Sequence, residues 1–174
     1  MSVDYHYGVT LEARISSFAR EWRNDPRIRF HCREYTDISE ERQFRWLQKI
    51  ELDQSIKMFT ICYNNIDVGV TGLTSLDLIN RNAEFSLYIA PTYQHNGYAG
   101  MALRTLLSHG FYDIGLHRIW GEVYEGNPAM FLFGKVGFKE EGLLRDSYYR
   151  DGKFINSHRI GILHDEFRKL QPRR

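Results

Sequence analysis

The hydrophobic positions of the chain change their spacing from one segment to the next, and each spacing predicts a different secondary structure. Apolar runs bounded by turn-forming residues predict strands. These runs cover residues 8–13, 58–63, 67–76, 83–90, 117–124, 138–149 and 153–163. Asn64-Asn65 and Asp151-Gly152 each separate two neighbouring runs, so the sequence predicts two tight hairpins.

Between Ala99 and Ile114 the apolar residues instead recur at every third or fourth position, which predicts a long amphipathic helix. Further helices are predicted at residues 16–22, after Ser39 as N-cap, and at 128–136. The order β-α-α-β-β-β-α-β-α-β-β indicates an α/β (α+β) fold. We expect a mixed, mostly antiparallel sheet of about seven strands with helices on both faces. Neither a linker nor a repeat interrupts the chain, which predicts a single domain over residues 1–174.

Composition narrows the class of protein. The 23 basic and 22 acidic residues nearly cancel, so we expect no nucleic acid and no membrane surface as a partner. The two cysteines predict free thiols rather than a disulfide framework, and the seven histidines show no metal-binding spacing, so no metal is predicted. The chain shows neither a secretion signal nor an apolar run of about 20 residues, so we expect a cytoplasmic protein.

The most informative motif lies where the third central strand gives way to the long helix. It reads Gln94-x-x-Gly97-x-Ala99. Such a junction leaves backbone N–H groups unpaired at the positive end of a helix dipole, and these groups can bind a phosphate. A glycine at this point lets the backbone approach such a ligand closely. By itself the motif favours an ordinary strand-to-helix connection.

A second motif, NPAMFLFGKVGF at residues 127–138, follows after one helix and one strand. Together the two motifs resemble the GNAT superfamily of acetyl-CoA-dependent N-acetyltransferases, in the branch with ribosomal-protein-alanine, spermidine and amino-sugar acetyltransferases. The resemblance covers residues 9–167. Two features depart from the family pattern. Asn127 and Ala129 are separated by one residue fewer than in the family pattern. Phe133 stands where many relatives have a tyrosine that protonates the leaving thiolate.

The resemblance implies that acetyl-CoA is the co-substrate and that its pyrophosphate binds at the glycine-bearing loop. The pantetheine arm would pair with the preceding strand as an added strand. The predicted cofactor-binding residues are Leu87, Tyr88, Ile89, Gln94, His95, Asn96, Gly97, Tyr98, Ala99, Asn127 and Phe133. Asn127 is also expected to cap the helix that follows it.

Glu84 is the predicted catalytic residue. It precedes Ala90 by six positions, about 20 Å along an extended strand, and shares a face with Ser86 and Tyr88. A carboxylate there could accept the proton that an alkylammonium, with a pKa near 10, must lose before it attacks a thioester, either directly or through water. A structural carboxylate paired with Arg81 or Arg118 is an equally good interpretation.

The identity of the amine is the least determined feature. Arg29, Arg33 and Tyr148 are the predicted substrate-binding residues, and the arginines favour an anionic acceptor such as a nucleotide-linked amino sugar. These arginines could instead be solvated or contact the second subunit of a homodimer. Alternative acceptors are a protein N-terminal α-amine and spermidine. A module that binds CoA without catalysis is a further alternative because phenylalanine at Phe133 cannot donate a proton.

Overall fold

The computed structural model describes residues 2–171, which form one sheet of eight strands with helices on both faces. The strands are β1 (Ser2–Val3), β2 (Thr10–Glu12), β3 (Lys57–Tyr63), β4 (Ile66–Asp77), β5 (Asn82–Ile89), β6 (Arg118–Tyr124), β7 (Lys139–Arg150) and β8 (Lys153–Leu163). Their order is β1-β2-β3-β4-β5-β6-β8-β7, and within residues 2–171 every neighbouring pair is antiparallel except β5 with β6. The predicted fold class is confirmed. The additional strand is β1, whose two residues are too few to form a recognisable pattern.

Both predicted hairpins form, and their turn residues adopt the left-handed conformation that such short turns require. The backbone φ angles are 48° at Asn64, 63° at Asn65, 47° at Asp151 and 81° at Gly152. Asparagine, aspartate and glycine tolerate positive φ better than other residues, so the local sequence fixes these turns.

The helices are α1 (Ala19–Asn24), α2 (Pro26–Arg29), α3 (Glu40–Leu52), α4 (Tyr98–Ser108), α5 (Ala129–Val136) and α6 (His164–Leu170). Ser39 caps α3 as predicted, because its hydroxyl accepts the backbone N–H of Arg42 at 3.2 Å. Two of these α-helices were not predicted. The four-residue α2 is capped by the Asp25 side chain, and α6 follows β8 with no intervening turn residue.

The principal core lies between one face of the sheet and the helices α4, α5 and α6. Leu103, Leu106 and Leu107 of α4 are fully buried there, together with Phe167 of α6. The residues of β5 alternate as predicted. Ala83, Phe85 and Ile89 belong to this core. Glu84, Ser86 and Tyr88 therefore lie on the opposite face, toward α1 and α3.

The parallel pair β5 and β6 separates soon after it starts. The two strands pair over residues 82–84 of β5 and 118–120 of β6. Beyond Glu84, β5 continues to Ile89 and pairs with β4 alone among the described strands. The Phe85 ring packs against Gly121 of β6, where a Cβ atom would overlap it. The result is a cleft between diverging strands, with the free backbone edge of β5 along one wall.

Candidate active site at the divergence of two parallel strands

The glycine-bearing loop ends at the N-terminus of α4 in a conformation suited to an anion. Gly97 has φ of +82°, and the nearest atom to a Cβ at this position would be Met101 Cε at 4.0 Å. Within residues 2–171, no side chain caps the N-terminus of α4. The positive end of the helix dipole and the first N–H groups of the helix are therefore open to an anionic ligand, and a diphosphate fits these groups.

The polar side chains of this loop support its shape. Gln94 Nε2 donates to the carbonyl of Ile89 at 3.2 Å. Asn96 Nδ2 donates to the carbonyls of Tyr93 at 3.2 Å and Gln94 at 3.0 Å. Because these amides bind loop carbonyls, the backbone N–H groups remain as the candidate anion donors.

Asn127 and Phe133 each have a local role at α5. The Asn127 side chain accepts the N–H of Ala129 at 2.9 Å, which is the capping interaction expected for it. The Phe133 ring is buried against Phe85 at 5.2 Å and Phe138 at 6.1 Å between ring centroids. A contact of either residue with a cofactor stays a prediction, as it does for Leu87, Tyr88 and Ile89.

Glu84 is buried at the point where β5 and β6 diverge, and its carboxylate binds the guanidinium of Arg33 through both oxygens. Arg33 Nη1 lies 3.0 Å from Oε2, and Nη2 donates to Oε1. This pairing raises the pKa of Arg33 above its ordinary value. The alternative partners suggested by the sequence are wrong. Arg81 donates to the carbonyl of Gly115, and Arg118 pairs with Glu141.

Glu122 of β6 is a second carboxylate at this point and was not predicted as a site residue. Its side chain is 9% exposed, and Oε2 lies 3.3 Å from Arg33 Nη2. The other oxygen accepts the Ser157 hydroxyl at 2.5 Å. The signal in the sequence was an acidic residue inside an otherwise apolar strand. With Arg33 bound to both glutamates, the three side chains carry a net charge of −1.

The hairpin of β7 and β8 fixes the loop that carries Arg33. Arg150 is buried, and its Nη2 donates to the carbonyls of Cys32 at 3.0 Å and Arg33 at 3.2 Å and to the Tyr124 hydroxyl at 2.9 Å. Tyr148, a predicted substrate-binding residue, accepts a hydrogen bond from Arg33 Nε at 3.1 Å. Burial raises the pKa of Tyr124 above its ordinary value.

Of the three predicted substrate-binding residues, the fold therefore brings Arg33 and Tyr148 together at Glu84. Arg29 instead pairs with Asp37 and lies over the ring of Tyr35, 5.8 Å from its centroid. Both arginines that suggested an anionic acceptor are thus already bound to carboxylates.

A cavity of about 320 Å³ lies on the Glu84 face of the sheet, beneath α3. Its lining comprises Arg23, Glu34, Ile38, Arg42, Gln43, Trp46, Ile56, Met58, Val70, Thr74, Ser86 and Tyr88. Arg42 pairs with Glu34 at 2.8 Å. Arg23 Nη1 is buried with no hydrogen-bond partner among residues 2–171. The cavity therefore has mixed apolar and polar walls, and one of the latter is Arg23, whose guanidinium lies over the ring of Tyr88, 5.9 Å from its centroid.

Other chemistry receives no support from the described part of the chain. Residues 2–171 contain no group of three potential ligands that could hold a metal ion. Cys32 and Cys62 are free, and burial raises the pKa of Cys62 to about 12, so its thiol is protonated at neutral pH. None of the helices in residues 2–171 has the length and apolar character needed to cross a membrane.

Comparison with known proteins identifies the family to which the chain belongs. Residues 10–139 match the family described as the acetyltransferase (GNAT) domain. A spermidine N(1)-acetyltransferase of Vibrio cholerae is 33% identical over 101 residues, 58% of this chain and 58% of that protein. A [ribosomal protein bS18]-alanine N-acetyltransferase of Haemophilus influenzae is 38% identical over 65 residues, 37% of this chain and 43% of that protein. The matched segments thus span 58% and 43% of the length of these two curated relatives.

Similarity among solved structures extends over nearly the whole chain. The crystal structure of spermidine N-acetyltransferase from Vibrio cholerae in complex with CoA and spermine has a TM-score of 0.85 and 26% sequence identity. It covers 92% of this chain and 98% of that one. The resemblance seen in the sequence is confirmed, and the chain belongs to the GNAT acetyltransferase family.

Proposed function

We propose that this protein transfers an acetyl group from acetyl-CoA to a primary amine of a small cationic acceptor, with spermidine-type polyamines as the preferred class. One observation carries the proposal. Glu84 and Glu122 hold a guanidinium at the point where β5 and β6 diverge, and a site that binds one organic cation through two carboxylates suits another. Relatives named as spermidine acetyltransferases support the same class.

This acceptor differs from the nucleotide-linked amino sugar that the arginines favoured. An arginine already paired with a carboxylate contributes little attraction to a further anion, because the two charges largely cancel. Arg29 is paired with Asp37, and Arg33 with Glu84. The pairing removes the main support for an anionic acceptor at these two residues.

Different residues would bind the cofactor, orient the acceptor and accept its proton. Bound acetyl-CoA would supply the activated thioester carbonyl, and CoA would leave as the thiolate as the C–N bond forms and the C–S bond breaks. The N–H groups at the start of α4 would bind its pyrophosphate, and the free edge of β5 would bind its extended arm. Glu84 would orient the acceptor ammonium and take up its proton, directly or through water. Glu122, held by Ser157, would stabilise the cation from the facing strand.

A second class of acceptor is favoured by one observation. Arg23 lines the cavity on the Glu84 face and has a buried nitrogen with no partner among the described residues. Burying a charged nitrogen without a partner is costly, so an anionic group on the ligand would be stabilised there. An acceptor with an amine at Glu84 and a phosphate or carboxylate at Arg23 would pair with both of these charged side chains.

The test is release of free thiol from acetyl-CoA with a matched panel of amines. The panel contains spermidine, a UDP-linked amino sugar, an alanine-terminated peptide and propylamine at equal concentrations. We expect the highest kcat/KM with spermidine. A preference for the sugar would support the Arg23 acceptor instead, and a preference for the peptide would contradict both proposals. Calorimetric binding of CoA without turnover of any amine would identify a non-catalytic module.

A further inference from the structure

We propose that Arg33 is an internal occupant of the acceptor site. Its guanidinium binds Glu84 and Glu122 until a cationic acceptor displaces it, so that its displacement sets the affinity for the acceptor. This inference rests on the proposed function, because it takes these two carboxylates as the place where the acceptor cation binds. It assigns to Arg33 a role opposite to the substrate binding predicted for it.

The first support is that Arg33 already uses the groups an acceptor would need. The Glu84 side chain is 8% exposed, and both of its oxygens bind the Arg33 guanidinium. Nη2 of the same guanidinium also lies 3.3 Å from Glu122 Oε2. A second cation cannot reach these oxygens with good geometry while the guanidinium remains. Binding of the acceptor and binding of Arg33 are therefore mutually exclusive at Glu84.

The second support is that the side chain of Arg33 can leave while its backbone stays in place. The side chain is 52% exposed, so a path to solvent exists. Its backbone carbonyl is held by Arg150, which also holds the carbonyl of Cys32. Rotation of the Arg33 side chain therefore does not require the loop to move. Besides the two glutamates, its described side-chain partner is the Tyr148 hydroxyl, at 3.1 Å.

The consequence for affinity follows from the competition. If the site is open for a fraction of the time, the apparent dissociation constant of any acceptor rises by the inverse of that fraction. A bidentate guanidinium–carboxylate pair is a strong charge-assisted interaction, so the closed arrangement dominates in the free protein. Removal of the Arg33 guanidinium should then lower the KM of a cationic acceptor. Loss of a substrate-binding residue would raise it.

The experiment compares the wild type with Arg33→Gln, Arg33→Lys and a control, Arg27→Gln. Arg27 is an exposed arginine that pairs with Asp25 near the same loop. We expect KM for spermidine to fall about tenfold in Arg33→Gln and less in Arg33→Lys, while KM for acetyl-CoA is unchanged. Arg27→Gln should match the wild type. An unchanged or raised spermidine KM in Arg33→Gln would overturn the inference.

A binding measurement tests the same inference without turnover. In Arg33→Ala the two glutamates lose their internal cation, and methylguanidinium, a fragment of the arginine side chain, should take its place. We expect calorimetry to show methylguanidinium binding at least about tenfold more tightly to Arg33→Ala than to the wild type. Equal affinity would contradict the inference. CoA binding in the same samples reports whether the variant is folded.

The two measurements separate this inference from the proposed function. If the wild type acetylates spermidine but Arg33→Gln shows no fall in KM, the inference fails and the function stands. If no cationic amine is acetylated but methylguanidinium prefers Arg33→Ala, the function fails. Arg33 is then still the occupant of a cation site.

Discussion

The two sides of the cleft between β5 and β6 differ in the groups that form them: backbone on one side and side chains on the other. The proposed cofactor side consists of backbone groups from one continuous stretch, the free edge of β5 and the start of α4 at residues 85–99. The proposed acceptor side consists of the side chains of Arg33, Glu84, Glu122 and Tyr148. These four residues come from four separate segments of the chain.

This difference indicates which substitutions should impair each side. Backbone N–H groups are present whatever the side chains are, so the cofactor side depends mainly on the shape of the loop at Gly97. Buried charges stabilise each other strongly and are destabilising when left alone, so the acceptor side depends on every member of its cluster. Single substitutions should therefore act on one side without affecting the other.

The largest effect is expected from Gly97→Asp, which would place a negative charge against the predicted pyrophosphate. Affinity for CoA should fall by at least about 100-fold, measured by calorimetry, because like charges repel strongly at close range. Gly97→Asn is the matched control, since asparagine and aspartate both tolerate positive φ and differ mainly in charge. Equal losses in the two variants would show that charge plays no part.

For Glu84→Gln we expect kcat at neutral pH to fall about 100-fold, since a neutral amide cannot accept the proton of the acceptor. KM for acetyl-CoA should change by less than about twofold, because the cofactor side is separate. Glu141→Gln, a change at another ion-paired glutamate, should leave both constants unaltered. Full activity of Glu84→Gln would make Glu84 a structural carboxylate.

Arg150→Met tests whether the hairpin of β7 and β8 organises the acceptor side without affecting the cofactor side. The substitution leaves two loop carbonyls and the Tyr124 hydroxyl without their donor. We expect KM for the acceptor to rise about tenfold, and the free energy of unfolding in urea to fall by about 2 kcal/mol. CoA affinity should remain as in the wild type. A parallel loss of CoA binding would show that the two sides are coupled.

Asp67→Asn provides a reference at an ion pair that includes no residue of either side. Arg14 donates to Asp67 at 2.6 Å and 2.8 Å and holds the pKa of this carboxyl below its ordinary value of 3.8. The pair therefore stabilises the fold above the unfolded pKa, and this contribution is lost as pH falls through the folded pKa. We expect Asp67→Asn to lower the free energy of unfolding by about 1 kcal/mol at pH 7.

At a pH below the folded pKa of Asp67, the wild type and Asp67→Asn should be equally stable in urea denaturation, since the carboxylate is then largely protonated. Both KM values should be unaltered at pH 7. A stability difference that persists at low pH would exclude the charge of Asp67 as its cause.

The features predicted correctly are those that neighbouring residues decide. The cap at Ser39, the left-handed turn at Asn64-Asn65 and the alternation along β5 each depend on a few adjacent positions. The two-residue β1 and the four-residue α2 were missed because such short elements have no periodicity to detect. Helix α6 was missed because it continues directly from β8 without a turn signal.

The acceptor side was predicted only in part. Glu84, Arg33 and Tyr148 were each singled out, but the pairing of Glu84 with Arg33 spans 51 positions, and Glu122 was seen merely as part of a strand. Preference for an anionic acceptor followed from counting arginines without knowing their partners. A charged residue attracts an anion only when no nearer carboxylate has already compensated it.

The sequence by itself determined the strand, the loop and the glycine before α4, because these follow from the backbone preferences of adjacent residues. The tertiary structure alone decided which charges surround Glu84. That charge depends on burial and on side chains from distant segments, such as Arg150, which binds a carbonyl 118 positions away. Local sequence patterns do not predict the distances between such side chains, and electrostatic free energy depends on separation in space rather than along the chain.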